Sequence, residues 1–339
     1  QNVTLQKNKF NSGYGTQFAV LLKRMTQKVK RHPFLIALHF VSTFCVALGV
    51  GFIFKSATRN TGGIQNRMGA LFFVLLHLAL MSLSSLPVWR EERLLFLRER
   101  LSGLYSTWVY FSSVLWFDVV ILRVLPPLFF TMISYPMIGL HGFGDGEGSV
   151  QESEGEPSGD ESTINTAISC LMTFTILLVL TNVAASGLMM TIGMITPSNA
   201  TANACGLLVL LVNLLCGGFF LNEQKTQGDG ESVPISVTIT KVLSSGSFVN
   251  RAFEALLINE FLDAGVFQFT PKWKNSENSN HENSIAVDVT GQEVLQFFKF
   301  GDTTRDMWND IAALTGLAVG YVTLAFIALK WTTRKGGVE

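Results

Sequence analysis

Charge is scarce in this sequence. Asp, Glu, Lys and Arg make up 15% of its 339 residues, where soluble globular chains carry about 25%. With so little charge and so much apolar content it is not a disordered chain, and it does not read as an ordinary water-soluble enzyme. Cysteine is sparse too. Cys45, Cys170, Cys205 and Cys216 all fall in apolar runs, with no CxxC pair and no His/Cys cluster. That excludes a disulfide-stapled secreted module, and no metal site is expected. There is no GxxxxGK[ST], HExxH or GxSxG motif, so no catalytic residue is nominated. Gly142, Gly144, Gly146 and Gly148 alternate with acids that would repel phosphate, and they read as loop. His39 and His77 are isolated in different apolar runs and read as packing residues. Acids are missing from the first 90 residues, which hold eleven Lys/Arg; the first acid is Glu91. Apolar runs break up that basic stretch, so nucleic acid is excluded as a partner.

What is present is hydrophobic: 48% of residues, 27 of them Phe, with a mean hydropathy of +0.35. A bilayer core takes about 20 apolar residues per helix. Runs 34–54, 68–88, 109–133, 168–195 and 311–329 meet that requirement, and 204–221 is a shorter, uncharged sixth. Six spans put both ends on one side. Seven Lys/Arg precede Pro33, four lie in 89–108, and Lys330, Arg334 and Lys335 close the chain, so these regions are expected to be cytoplasmic. The 55–67 loop, with three bases, is an exception. The segment 141–164, with seven acids and no base, and the polar 262–309 are expected outside. The chain is thus expected to be an integral, multi-pass protein with membrane lipid around it and the plasma membrane as its location. The first 33 residues contain no apolar core of a cleavable leader.

Two further segments have helical periodicity without spanning length. In 16–31, Phe18, Leu21, Leu22, Met25 and Val29 share a face beside five bases, as in an interfacial amphipathic helix. In 90–105, Leu94, Leu97, Leu101 and Leu104 form a stripe among charges, predicting a cytoplasmic helix after span two. The stretch 233–261 fits a re-entrant hairpin. Asp118 and Arg123 are charges inside span three. Being five apart, they do not share an α-helix face, so each is expected to meet another element. Six spans with a re-entrant piece also describe a tetrameric cation channel. However, span four has no arginine, and the one Gly-Tyr-Gly, at 13–15, precedes the first span. An ATP-independent pore stays as the alternative reading.

The run Glu92-Arg93-Leu94-Leu95-Phe96-Leu97-Arg98-Glu99-Arg100-Leu101-Ser102-Gly103-Leu104-Tyr105 resembles the segment after span two in subfamily G of the ABC transporters, the white-type pigment, sterol and multidrug exporters. Asp118, Arg123 and Pro126 resemble that family at the same offsets, as do Gly218 and Asn222 closing span five and Asn259-Glu260-Phe261 after it. The similarity covers 16–335. It implies an all-α membrane fold: an elbow helix within 1–33, then a six-span domain over 34–335 with a coupling helix between spans two and three. A re-entrant segment and a long extracellular loop would separate spans five and six.

The resemblance also implies the membrane half of an ATP-driven exporter. Its partners would be a second transmembrane half, identical or a sister, and a nucleotide-binding domain of the same polypeptide. No cofactor is expected in this chain, since ATP and Mg belong to that domain. By resemblance, Glu92, Arg93 and Glu99 couple to the ATPase domain, and Arg123 modulates cargo choice. His77, Leu80, Leu207 and Leu211 fall where drug-exporting members line a cavity at the two-fold axis. Leu80 stands at the aromatic clamp position, His77 at an amide position and Leu207 at a hydroxyl position. An aliphatic wall suits an apolar or amphipathic cargo, of lipid, sterol or terpenoid type, over flat polycyclic drugs. Phe219 and Phe220 fall at the family's apolar plug and are the candidate gate.

Overall fold

The fold is seen in a computed structural model that describes residues 13–31, 33–55, 60–101, 105–140, 161–219, 242–262, 264, 266–269 and 287–335. The chain is mostly helical: α1 (Tyr14–Arg31), α2 (Phe34–Ile53), α3 (Thr61–Ser82), α4 (Ser85–Leu101) and α5 (Thr107–Asp118) come first. A π-helical segment (Val119–Val124) joins α5 to α6 (Leu125–Ile138). Next come α7 (Glu161–Ile195), α8 (Asn199–Leu215), α9 (Phe248–Phe261), β1 (Val266–Phe269), β2 (Val287–Thr290), α10 (Gly291–Phe297) and α11 (Thr304–Lys335). Among the described residues, five helical stretches are long and apolar enough to cross a membrane: 36–53, 61–99, 107–138, 165–195 and 304–332. The 17-residue α8 is a shorter apolar helix, about 25 Å long at 1.5 Å per residue.

Local sequence explains where these helices begin and end. The expected span 68–88 starts earlier, because the Asn60 side chain accepts a hydrogen bond from the Gly63 amide (2.8 Å) and caps the helix at Thr61. Arg67 therefore lies in α3, buried, and forms an ion pair with Glu260 of α9. Its charge is spent on packing, which removes part of the anomaly in the 55–67 segment. Only Leu83 and Ser84 separate α3 from α4, so the charged helix follows the apolar one directly instead of standing in a loop. At that break the Ser84 hydroxyl lies 2.9 Å from His39 of α2. Helix α8 ends at Leu215, short of the 221 expected for the sixth apolar run, because Gly217 and Gly218 follow and Gly218 has φ +81°.

The two longest helices, α7 and α11, pack along each other and form the spine. Gly187 allows the approach: a Cβ there would lie 3.2 Å from Cβ of Tyr321. Around the spine sits a large apolar core from α3, α6, α7, α9 and α11, including Leu71, Leu75, Phe130, Leu178, Phe253 and Leu257. A second core at the α1 end gathers Leu21, Met25, Trp89, Phe96, Tyr110 and Phe111.

Two of the expected segments lie between α8 and α11. The described part of 233–261 contains α9, a 14-residue helix buried over nearly its whole length against α3, α7, α8 and α11. Residues 220–241, which would complete the expected hairpin, lie outside the described residues. The stretch 262–309 is more than a polar loop. β1 and β2 pair antiparallel, Val266 opposite Thr290 and Phe269 opposite Val287. A Thr290/Glu293 capping box then starts α10. Gly291 is needed there, since a Cβ would fall 1.8 Å from the Phe261 carbonyl oxygen. The short strand pair and helix therefore sit tightly on the end of α9. The acidic segment 141–160 lies outside the described residues.

Candidate functional site

Charged α4 is clasped by its neighbours. Glu92, only 3% exposed, accepts from Lys28 of α1 (2.6 Å) and from the Tyr110 hydroxyl of α5 (2.6 Å). Glu99 accepts two bonds from the Arg24 guanidinium, at 2.7 and 2.8 Å, and one from the Tyr105 hydroxyl. Arg93 donates to the Met194 carbonyl at the end of α7, and Arg90 bonds the Pro197 carbonyl and Asn199 just beyond it. Burial lowers the proton affinity of the Arg24 guanidinium, but the bond and charge of Glu99 outweigh it, and its pKa is raised. Burial first, then Glu99, push the Tyr105 hydroxyl well above its ordinary range, so it stays a donor. The rings of Phe96, Tyr105 and Tyr110 stack behind these bonds, with centroids 4.7–6.0 Å apart. The three charges that the sequence reading assigned to coupling thus fasten α4 to α1, α5 and α7. Glu91, Leu94 and Arg98 are exposed among the described side chains of the helix.

Asp118 and Arg123 meet each other, contrary to the expectation from α-helical spacing. That spacing predicts that each meets another element, yet Arg123 Nε and Nη2 donate to the Asp118 carboxylate at 3.4 and 3.3 Å. The cause is the π segment between them. A π turn places residues five apart in register, where an α turn places three and four. Arg123, 1% exposed, also donates to Ser85, the first residue of α4. Asn182 of α7 donates its amide to the carbonyls of Leu122 (3.3 Å) and Arg123 (3.2 Å). One polar knot therefore joins the π segment, α7 and the α3–α4 break. No sequence signal announces the π turn. Asn182→Ala is expected to leave these buried carbonyls unpaired and to lower stability by about 1–3 kcal/mol. A thermal melt matching the parent's would show that the bonds carry no weight.

The candidate cavity residues divide. His77 is buried and lies parallel to Phe130, with ring centroids 6.1 Å apart. Leu80, Leu207 and Leu211 are 40%, 44% and 57% exposed. Leu207 and Leu211 are on the surface of the single chain because α8 buries only Ala202, Gly206, Leu210 and Leu214, one row at a spacing of four, and Leu80 is on an unburied face of α3. Gly206 permits that contact, as a Cβ would meet Leu86 at 2.6 Å. The structure thus brings the three leucines to unburied faces of α3 and α8 and turns His77 inward. Phe219 stacks on Phe72 (4.6 Å, 15°) and meets Phe253 edge-on (5.9 Å). It also borders a cavity of about 740 Å³ reaching Gln65, Asp288 and Phe300. Phe220 lies outside the described residues. Among the described residues no group of His, Cys, Asp or Glu is placed to hold a metal.

Long apolar helices, charges neutralised in pairs in their interior and a basic helix at one end define a multi-pass α-helical membrane protein. The chain belongs to the ABC-2 type transporter family, whose model matches residues 16–228. It is 30% identical over 327 residues to ABC transporter G family member 24 of Dictyostelium discoideum, covering 96% of this chain and 24% of that protein. Against the probable ATP-dependent permease of Saccharomyces cerevisiae it is 27% identical, covering 97% of this chain and 27% of the permease. Against the protein white of Drosophila melanogaster it is 28% identical, covering 94% of this chain and 40% of white. The chain is a G-type ABC transmembrane domain. It spans about a quarter to two fifths of the length of these relatives.

Proposed function

We propose that this domain is the membrane-spanning half of an ATP-driven exporter that moves an apolar or amphipathic molecule. A nucleotide-binding domain of the same polypeptide would supply ATP and Mg chemistry. The relatives' names support the ATP-driven reading, since they include an ATP-dependent permease and a G family ABC transporter. On this reading α8 is the fifth of six spans, α1 is the elbow at the cytoplasmic interface, and both termini are cytoplasmic.

The observation that carries the proposal is the one-sided burial of α8. A helix with a single buried row and exposed leucines on its other faces offers an apolar surface to a second half. Leu80, Leu207 and Leu211 then line an aliphatic cavity between two halves, identical or sister. Phe219 and Phe220 narrow its outer end, and buried His77 supports the wall from behind. Aliphatic walls gain about 25 cal/mol per Å² removed from water without demanding ring geometry, which favours lipid-, sterol- or terpenoid-like cargo. Arg123 acts on cargo choice indirectly, through Ser85 and the α3–α4 break. Leu80→Trp in the complete transporter is expected to shrink the cavity and to change cargo-stimulated ATP hydrolysis by several-fold, about what 1 kcal/mol of altered binding gives. Unaltered stimulation across a panel of apolar cargoes would remove Leu80 from the cavity.

A further inference from the structure

The core at the α1 end is not completely filled. A cavity of about 170 Å³ lies between α1, α2, α4, α5 and the π segment. One water needs about 10–15 Å³ of such space, so this cavity admits part of an organic molecule. Met25, Ile36, Val114 and Leu122 make much of its wall apolar.

Its polar groups are not all satisfied within the chain. Trp89 lines the cavity and is 1% exposed, yet its indole N–H has no hydrogen-bond acceptor among the described residues. Buried donors are almost always paired, so an orphan beside a cavity points to an absent acceptor. Glu91, exposed at the rim, forms no ion pair among the described residues. The remaining charges are occupied: Glu92 holds Lys28 at 2.6 Å, and Asp118 holds Arg123 at 3.3 Å.

These groups select one head chemistry. An anionic phosphate could accept from Trp89 but would face Glu91, Glu92 and Asp118. An ammonium would suit Glu91 and leave the indole unsatisfied. A hydroxyl accepts from Trp89 Nε1 and still has a proton to donate to a carboxylate of the cavity's wall or rim, while its carbon body lies on the apolar wall. We propose that this cavity binds the hydroxyl end of a neutral amphipath drawn from the surrounding membrane. Its walls include Leu122 of the π segment, beside the Asp118–Arg123 pair. An occupant would therefore brace α1 and α4 against that segment. The proposal does not rest on transport and is tested without it.

The test uses the purified protein in phosphatidylcholine nanodiscs and two photoreactive probes, a diazirine sterol with a free hydroxyl and a diazirine long-chain alkanol. Adducts are mapped by mass spectrometry. Saturable labelling within 85–101 and 107–124 is expected, displaced by unlabelled alcohol but not by its methyl ether, which cannot donate. Labelling by the sterol alone or by the alkanol alone supports the site and identifies its source. Trp89→Phe keeps the ring and removes the donor, and is expected to weaken half-saturation roughly three- to tenfold. Should that variant not fold, Glu91→Ala, at an exposed position, is expected to weaken it in the same direction. Labelling that does not saturate and spreads over the exposed faces of α2 and α8 would overturn the proposal. So would half-saturation unchanged in both variants, or equal displacement by the ether.

Discussion

Glu260→Ala is expected to destabilise the domain by about 3–5 kcal/mol, the largest single effect of any substitution considered. Glu260 and Arg67 are 2% and 4% exposed and form an ion pair between α9 and α3. Removing one partner leaves a charge in an apolar interior that water does not reach. Arg67→Ala is expected to be about as damaging. The paired replacement Arg67→Met with Glu260→Leu restores much of the loss, because two apolar side chains of similar volume have no desolvation penalty to repay. Thermal unfolding of the purified protein, followed by fluorescence, reads all four forms. If either single variant melts with the parent, the pair is not a structural anchor. If the double variant melts no higher than the singles, the loss comes from lost packing and not from an unpaired charge.

Joint replacement of Glu99 and Arg93 by Ala in the complete transporter is expected to separate transport from ATP hydrolysis. Glu99 ties α4 to α1 through Arg24 Nη1, which donates to both carboxylate oxygens, and to Tyr105; Arg93 ties α4 to the end of α7. On the proposed reading, force applied by a nucleotide-binding domain to the exposed residues Glu91, Leu94 and Arg98 would reach the bundle through those fastenings. Loss of both removes a coupling free energy of the usual size, about 1–3 kcal/mol, or 5–150-fold. Cargo movement should fall by a factor in that range, while ATP hydrolysis and surface expression hold. Transport at the parental rate would end the assignment of α4 as the coupling element. Glu92 is kept out of this test because it is buried against Lys28 and Tyr110, so its loss would confound coupling with folding.

Much of the architecture was legible in the chain because a bilayer imposes a simple length rule. Apolar runs of about 20 residues announce spanning helices, and α2, α5–α6, α7 and α11 are found where those runs lie. The amphipathic period of 16–31 predicts a helix, and α1 is found there, because a helix with one buried face must sort its residues by side. Sequence also located the charges that matter without their partners. The family resemblance named Glu92, Arg93 and Glu99, and Arg123 stands out as a charge inside an apolar run, but hydrogen bonding to Lys28, Met194, Arg24 and Asp118 joins residues up to about a hundred positions apart.

The polar stretch 262–309 shows where pattern reading fails. Strands of four residues carry too few alternations to stand out, although the Thr290–Glu293 capping box was there to be read.

Composition and hydrophobic run length by themselves determined that this protein lives in a membrane, where its long helices lie and which segments carry charge, because transfer of side chains from water to hydrocarbon depends on local content. Only the tertiary structure decided which charges are neutralised and by whom. A π turn put Asp118 and Arg123 in register, α9 brought Glu260 to Arg67, and packing of α1, α4 and α5 left an indole donor beside an open cavity. Those outcomes depend on helix phase and on contacts between distant segments, and neither is written in any one stretch of the chain.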